Sequence, residues 1–370
     1  MWTVLRDVRR KPLLWLLVFV PLLFVVKGVR PDGHTVLFVM SVLAIVPLAA
    51  LLSHATESVA AKTGDAVGGL LNATLGNLTE LIIAVTALRA GEYALVKASI
   101  AGAIVANTLF MLGVSFLLGG LRHHVQEYNR ANARMQAGML FLATVALLVP
   151  SMAATNESVQ ASPGVLSDLS VALSVLLITT YGLGMLFSLK THREAFQSPN
   201  GGHGEGDEGD EKPWPVGVAA VTLGVVTVLV ALVSEVFVES VQEAATTFGM
   251  SQAFVGFVVV AIVGGAAEMA SAFAAARKDK LDLSVGIALG SAAQIALFVA
   301  PVLVLLSHVV GPSPMDLHFW PGAVAMILIA TAAASLLTNS GRTAWFVGVL
   351  LLMVYLVFAM SLYMLPPRAA

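Results

Sequence analysis

The chain of 370 residues contains no cysteine, which excludes disulfides, thiolate metal sites and cysteine nucleophiles. Charge is scarce as well. Only 11% of the residues are Asp, Glu, Lys or Arg, against about 25% in a soluble globular domain, so there is too little polar surface for a water-soluble globule. The net charge of −2 leaves no basic excess to hold a phosphate backbone, and nucleic acid is excluded as a partner. What fills the chain instead is apolar: 58% hydrophobic residues and a mean hydropathy of +0.89. Such a composition describes a polytopic membrane protein whose main partner is the lipid bilayer.

Apolar windows of about 20 residues, the length that crosses a bilayer as helix, place spans at 13–26, 35–53, 66–88, 98–121, 136–154, 165–189, 214–234, 250–276, 283–307, 319–338 and 343–365. The basic run Arg6 to Lys11 ahead of the first apolar stretch resembles a secretory signal, but Lys27, Gly28, Val29 and Arg30 follow where a small-residue cleavage site would stand. An uncleaved first helix is expected. With the N-terminus inside, fifteen of the twenty basic residues fall in inside segments and five (Lys27, Arg30, Arg89, Lys97, Arg368) outside. Lys and Arg accumulate in cytoplasmic loops, so the N-terminus is expected in the cytoplasm and the C-terminus outside. Ser198 to Lys212, SPNGGHGEGDEGDEK, has nothing apolar to bury and reads as an acidic cytoplasmic linker between two halves.

The halves echo each other. A shift of 188 residues carries Gly76 onto Gly264, Glu80 onto Glu268, Arg89 onto Arg277 and Gly102 onto Gly290. Just upstream, Glu57-Ser58-Val59 matches Glu239-Ser240-Val241 at a shift of 182. The second helix lands on the seventh, five spans away, and an odd number turns the copy upside down. The expected fold class is therefore an all-α polytopic membrane protein of about eleven transmembrane helices, a peripheral first helix plus two inverted-topology five-helix repeats. The expected segments are 1–30 for the N-terminal part and first helix, 31–197 for the first repeat, 198–213 for the linker and 214–370 for the second repeat. Inverted repeats are typical of secondary transporters with a site at mid-membrane, where the halves meet.

Polar residues mark where that site would be. Gly76 and Asn77 precede Glu80 on one helix face, as Gly264 precedes Glu268. A glycine one turn before each glutamate lets a neighbouring helix approach, or lets the helix open and offer carbonyls. An ionised carboxylate at mid-bilayer costs about 2.5–3.5 kcal/mol on insertion scales, so it must be protonated, paired or ligated. No Lys or Arg lies in the central part of any span, which leaves protons and metal ions. Two glutamates give up to four oxygens, and amide or hydroxyl groups, Asn77 and Asn107 in one half and Ser291 and Gln294 in the other, are natural further donors for an ion that takes about 6–8 oxygens. When the ion leaves, protons neutralise the pair, so one site carries either cargo in turn. Glu235 and Glu239, near the outer end of the seventh helix, could attract cations to a vestibule. A solvated helix end explains them equally well. Asn72, Ser99, Thr79 and Ser271 read as helix-to-helix hydrogen-bonding groups.

These stretches, GGLLNATLGNLTELI with AGAIVANTLFMLG and later IVGGAAEMASAFAAARKDKLDLSVGIALGSAAQIALFVAP, resemble the two signature repeats of the Ca2+/H+ antiporters of the calcium/cation exchanger superfamily. The resemblance implies a shared site built on Glu80 and Glu268, with Gly76-Asn77, Asn107, and Gly290, Ser291 and Gln294 around it, and ten core helices plus one peripheral helix. It departs at Gly265 and Met269, where Asn and His are usual, and at Ala103, where Ser is common. The expected function is exchange of Ca2+ for H+ across a bacterial cytoplasmic membrane, with no cofactor and no enzymatic activity; oligomeric state is left open. A Na+ or K+/H+ antiporter on the same scaffold is the alternative. A passive cation channel would be of another class, and an intramembrane hydrolase ranks last because no histidine lies mid-span near either glutamate.

Overall fold

In a lipid environment a segment must satisfy its backbone groups internally, and a chain with this composition does so by forming helices. The computed structural model describes residues 11–63, 65–155, 164–192 and 213–364; the linker stretch Ser198–Lys212 lies outside the described residues. The elements in order are α1 Pro12–Val29, α2 His34–Ala60, α3 Asp65–Leu75, α4 Leu78–Arg89, α5 Tyr93–His123, β1 Val125–Glu127, α6 Arg130–Ala153 and α7 Val165–Thr191. After the linker come α8 Val216–Thr247, α9 Gln252–Gly264, α10 Ala266–Arg277, α11 Leu281–Val310, α12 Pro321–Ser340, β2 Arg342–Ala344 and α13 Trp345–Met364.

Among the described residues, nine helices are long and apolar enough to cross a membrane, and the pair α9 and α10, bent by 60°, makes a tenth. The eleventh expected span, 66–88, is instead two short helices, α3 and α4, of 11 and 12 residues. At 1.5 Å per residue each covers only about 17 Å, so neither crosses alone. The expected single helix at 250–276 is likewise divided. Gly76-Asn77 and Gly265 carry the two interruptions, and glycine weakens a helix interior where it stands.

The repeat is visible in these boundaries. The spacing that carries Gly76 onto Gly264 also carries the first residue of α4, Leu78, onto the first of α10, Ala266. It carries Arg89 onto Arg277 and Tyr93 onto Leu281, so helix ends and starts coincide. Even the irregularity recurs. A π-helical stretch interrupts α5 at Ala106–Met111 and α11 at Ile295–Val299, ending at equivalent positions.

The inversion shows in how α2 and α8 lie side by side. His34 Nε2, at the start of α2, is 3.1 Å from Glu243 Oε2 near the end of α8. At the other end Trp214 donates its N–H to Ser58 Oγ at 3.1 Å, and between them Phe38 stacks on Phe237 with ring centroids 5.4 Å apart. Equivalent helices therefore run in opposite directions. Loops sort onto two faces accordingly. On the face where α7 ends and α8 begins, here the linker face, β1 pairs antiparallel with β2, Gln126 Nε2 donates to Asp279 Oδ1 at 2.7 Å and Arg134 Nε donates to Asn339 Oδ1 at 2.7 Å. On the distal face, Lys97 Nζ lies 2.5 Å from Asp316 Oδ1 and Tyr93 donates its hydroxyl to Ser313 O at 2.6 Å.

Helices α5 and α9 touch backbone to backbone. A Cβ at Gly102 would run into the backbone of Phe257, and one at Gly256 would lie 2.6 Å from Ala98 Cβ. Small residues let helices approach this closely without hydrocarbon between them, and the contact holds the second broken pair against the first repeat.

Candidate functional site

The two interruptions face each other. Glu80 is in the first turn of α4 and Glu268 in the first turn of α10, where the partial positive charge of a helix N-terminus favours a carboxylate. Helix ends also leave backbone groups without intrahelical partners, and here such ends lie inside the fold. Glu80 reaches across the break in the other repeat: a Cβ on Gly264 would stand 3.0 Å from Glu80 Cγ and 3.4 Å from its Cδ. Gln294 covers the opposite break, its Oε1 3.3 Å from where a Cβ on Gly76 would be. Glu80 Oε1 would lie 3.6 Å from a Cβ on Gly265, three residues before Glu268 in the same break.

A buried hydrogen-bonded chain runs beside them. Asn107 Nδ2 donates to Ser291 Oγ at 2.9 Å, and Ser291 Oγ donates to Asn77 Oδ1 at 2.8 Å. All three are nearly inaccessible, Asn77 at 1% exposure, Asn107 at 2% and Ser291 at 6%. The π-helical stretch of α5 includes Asn107 and that of α11 begins one residue after Gln294; such bulges re-aim side chains and recur at functional sites. Three polar atoms here lack a hydrogen-bond partner: Glu268 Oε2, Asn77 Nδ2 and Gln294 Nε2. Buried polar groups are as a rule satisfied, and three of the buried side-chain atoms without a partner among the described residues belong to this one site. Among the described residues no group of three or more His, Cys, Asp or Glu side chains could hold a metal ion. An ion bound here would have two carboxylates and neutral oxygens.

A cavity of about 400 Å³ leads to the site, lined by Glu57, Asn72, Gln136, Glu268, Ser291 and Gln294 among others. Its lining comes from α2, α3, α6, α7, α10 and α11, mostly from their linker-face halves, so it lies on the linker side of the site. Glu268 is on its wall and Glu80 is not. The Glu92 carboxylate accepts from Gln242 Nε2 and, at 3.1 Å, from Gln252 Nε2, which ties the α4–α5 turn to α8 and α9.

The sequence-derived set thus divides. Glu80, Glu268, Gly76, Asn77, Asn107, Gly264, Ser291 and Gln294 come together. Glu235 and Glu239 do not: both are exposed on α8 toward the distal face, and Glu239 Oε2 pairs with Lys27 Nζ at 2.7 Å. Asn72 and Ser271, expected to join helices, line the cavity instead. Glu57 was missed as a lining residue. It accepts from Ser53 Oγ at 3.0 Å at the cavity wall, and the Glu-Ser-Val echo was the signal that could have found it.

Comparison with known proteins identifies the family. The family described as "Sodium/calcium exchanger protein" matches residues 33–190 and 218–364. A Ca(2+)/H(+) antiporter of Synechocystis sp. is 40% identical over 97% of this chain and 99% of its own length. The Ca(2+)/H(+) antiporter ChaA of Bacillus subtilis is 40% identical over 89% of this chain and 92% of its own. The solved structure of native YfkE superposes with a TM-score of 0.81 at 34% identity, covering 95% of this chain and all of that one.

Proposed function

The chain belongs to the sodium/calcium exchanger protein family, and on that premise we propose that it is a secondary transporter that exchanges Ca2+ for H+ by alternating access, with Glu80 and Glu268 as the groups that bind metal and protons in turn. The observation that carries this reading is that these carboxylates, one from each inverted repeat, stand at the two facing helix breaks, with Glu268 Oε2 buried and without a hydrogen-bond partner. The relatives are named as antiporters, which favours neither a channel nor a Na+ or K+ exchanger.

The chemistry follows from neutralisation. With Ca2+ bound, two carboxylates cancel its charge, while Asn77, Ser291 and Gln294 supply neutral oxygens and water completes the shell. When Ca2+ leaves, two like charges remain in a site of low dielectric, and protons must replace the metal before the empty pair can change its exposure. Metal and protons compete for the same oxygens, so net movement of one requires counter-movement of the other. The cavity on the linker side of the site gives Ca2+ access from that side, taken as the cytoplasm of a bacterial cell by the distribution of Lys and Arg. Proton entry from the opposite side then drives Ca2+ export.

The test is uptake of 45Ca2+ into proteoliposomes with an imposed acid-inside gradient, comparing wild type with Glu80→Gln and Glu268→Gln and adding Na+ or K+ as competitors. Gradient-dependent uptake that is lost in both variants is expected. Uptake that follows voltage whatever the proton gradient, or proton movement on adding Na+ with no Ca2+ flux, would overturn the proposal.

A further inference from the structure

The two carboxylates obey the repeat; the neutral polar groups beside them do not. The spacing that exchanges Glu80 and Glu268 carries Asn77 onto Gly265, Asn107 onto Ile295, Gln294 back onto Ala106 and Ser291 back onto Ala103. The hydrogen-bonded chain Asn107–Ser291–Asn77 therefore has a mirror image, Ile295–Ala103–Gly265, with no hydrogen-bonding side chain. Gln294 covers Gly76 next to Asn77, so all four amide and hydroxyl groups lie on one flank of the site. The orphaned Glu268 Oε2, Asn77 Nδ2 and Gln294 Nε2 lie with them, as does the cavity. Glu80 rests on the other flank, over Gly264 and Gly265.

Backbone geometry does not require glycine at 265. Its φ of −80° and ψ of 7° suit any residue. A Cβ there would lie 3.2 Å from Ala261 O, 3.5 Å from Met269 Cε and 3.6 Å from Glu80 Oε1, so a side chain could be held with small adjustments, and it would stand beside the Glu80 carboxylate. What the chain lacks at this position is a ligand, and the lack is not imposed by the fold.

Resting on the reading that Glu80 and Glu268 hold the ion, we propose that the ion sits off the pseudo-two-fold axis, against the Asn77–Ser291–Gln294 flank, with water completing its shell on the Gly265 flank, and that Gly265 and Ala103 thereby set its selectivity. Ca2+ takes about 6–8 oxygens and gains from every protein ligand, whereas a smaller divalent ion with octahedral preference, such as Mn2+, is satisfied with about six. A one-sided cage costs Ca2+ more than Mn2+, so the site separates the two weakly.

Equilibrium binding of 45Ca2+ to the purified full chain in detergent, with Mn2+ as competitor, tests this. Gly265→Asn combined with Ala103→Ser restores the missing flank and is expected to tighten Ca2+ by about tenfold while tightening Mn2+ less, so the Ca2+/Mn2+ affinity ratio rises. Asn77→Gly, which strips the polar flank, is expected to weaken Ca2+ by about tenfold. Should the double variant not fold, Ala103→Ser alone, a change of one oxygen, is expected to move the ratio the same way. An unchanged or falling ratio in the flank-restoring variants, or Ca2+ affinity indifferent to Asn77→Gly, overturns the proposal. Ca2+ binding that disappears in Glu80→Gln and Glu268→Gln while the ratio stays fixed sinks this inference and leaves the exchange reading standing. Wild type that binds neither ion sinks both.

Discussion

Gly264→Ala is the sharpest test of how tightly the two breaks are fitted. The added methyl would stand 3.0 Å from Glu80 Cγ, 3.4 Å from Cδ and 3.6 Å from Oε1, whereas carbon pairs settle at about 3.5–4.0 Å. Glu80 would have to retreat by about 0.5–1 Å to restore that separation. Overpacking of this kind costs about 1–3 kcal/mol. If the ion-bound state needs Glu80 where it stands, that cost falls on binding and weakens Ca2+ by about 5- to 140-fold, since about 1.4 kcal/mol is tenfold. Gly265→Ala, one residue along, meets nothing closer than 3.2 Å and is expected to have a much smaller effect, within about threefold. The assay is the Ca2+ concentration for half-maximal proton release in proteoliposomes, read with an internal pH dye, with thermal stability in detergent measured alongside. A wild-type half-saturation in Gly264→Ala, or a larger defect in Gly265→Ala, would refute the reasoning, because only the methyl at 264 meets Glu80 Cγ at 3.0 Å.

Three further outcomes follow from contacts away from the site. Lys97→Met is expected to lower the thermal midpoint more than Lys97→Met with Asp316→Leu, because the single change leaves a partly buried carboxylate (30% exposed) without its cation and removal of both charges does not; equal midpoints would mean the pair is merely solvated. Gly102→Ala drives a methyl into the backbone of Phe257, and a loss of about 1–3 kcal/mol should appear as an earlier midpoint in thermal unfolding followed by size-exclusion chromatography. Burial pushes the Tyr128 phenol above its usual value, with hydrogen bonding to Ser340 opposing, so the folded state holds this proton more tightly than the unfolded chain. Stability from this group is complete below about pH 10 and is lost as pH rises beyond it; Tyr128→Phe should flatten that alkaline loss, and an unchanged slope would count against it.

What could be read from the sequence was whatever has a period or a partner. Span positions followed from hydropathy because lipid imposes a length, and the inverted repeat followed from Glu80 and Glu268 because an ionisable group in an apolar run has no trivial explanation. The breaks were harder. A window average across 66–88 is insensitive to Gly76-Asn77, so one helix was expected where two short ones stand; the local cost of glycine is small, and tertiary contacts decide whether a helix bends or opens there. Glu57 escaped for a related reason. It lies near the end of α2, where a charged residue is ordinary, and only the folded arrangement of α2, α6 and α7 makes that helix end the wall of a cavity. The link from Asn107 through Ser291 to Asn77 joins residues 184 and 214 positions apart, which no local pattern predicts.

The two faces of the molecule differ in conformation more than in design. A spacing of 182 carries Glu57 onto Glu239 and Ser53 onto Glu235, so positions that line the cavity on the linker side have acidic equivalents on the distal face. There Glu239 pairs with Lys27, and Glu92 accepts from Gln242 and Gln252. The equivalent of Glu92 at the 188-residue spacing is Lys280, which cannot accept from two amides, so the linker face has no copy of these contacts. Under the exchange reading, opening the distal face means releasing Glu92 from both amides and freeing Glu239 from Lys27, after which Glu235 and Glu239 would stand where Ser53 and Glu57 stand now. Inverted topology makes the two end states alike in helix packing; the unlike residues on the two faces set them apart in cost. Under that reading the Glu92 contacts with Gln242 and Gln252 and the Lys27–Glu239 pair count toward the cost of opening the distal face, and Lys280 supplies no counterpart to Glu92 on the linker face.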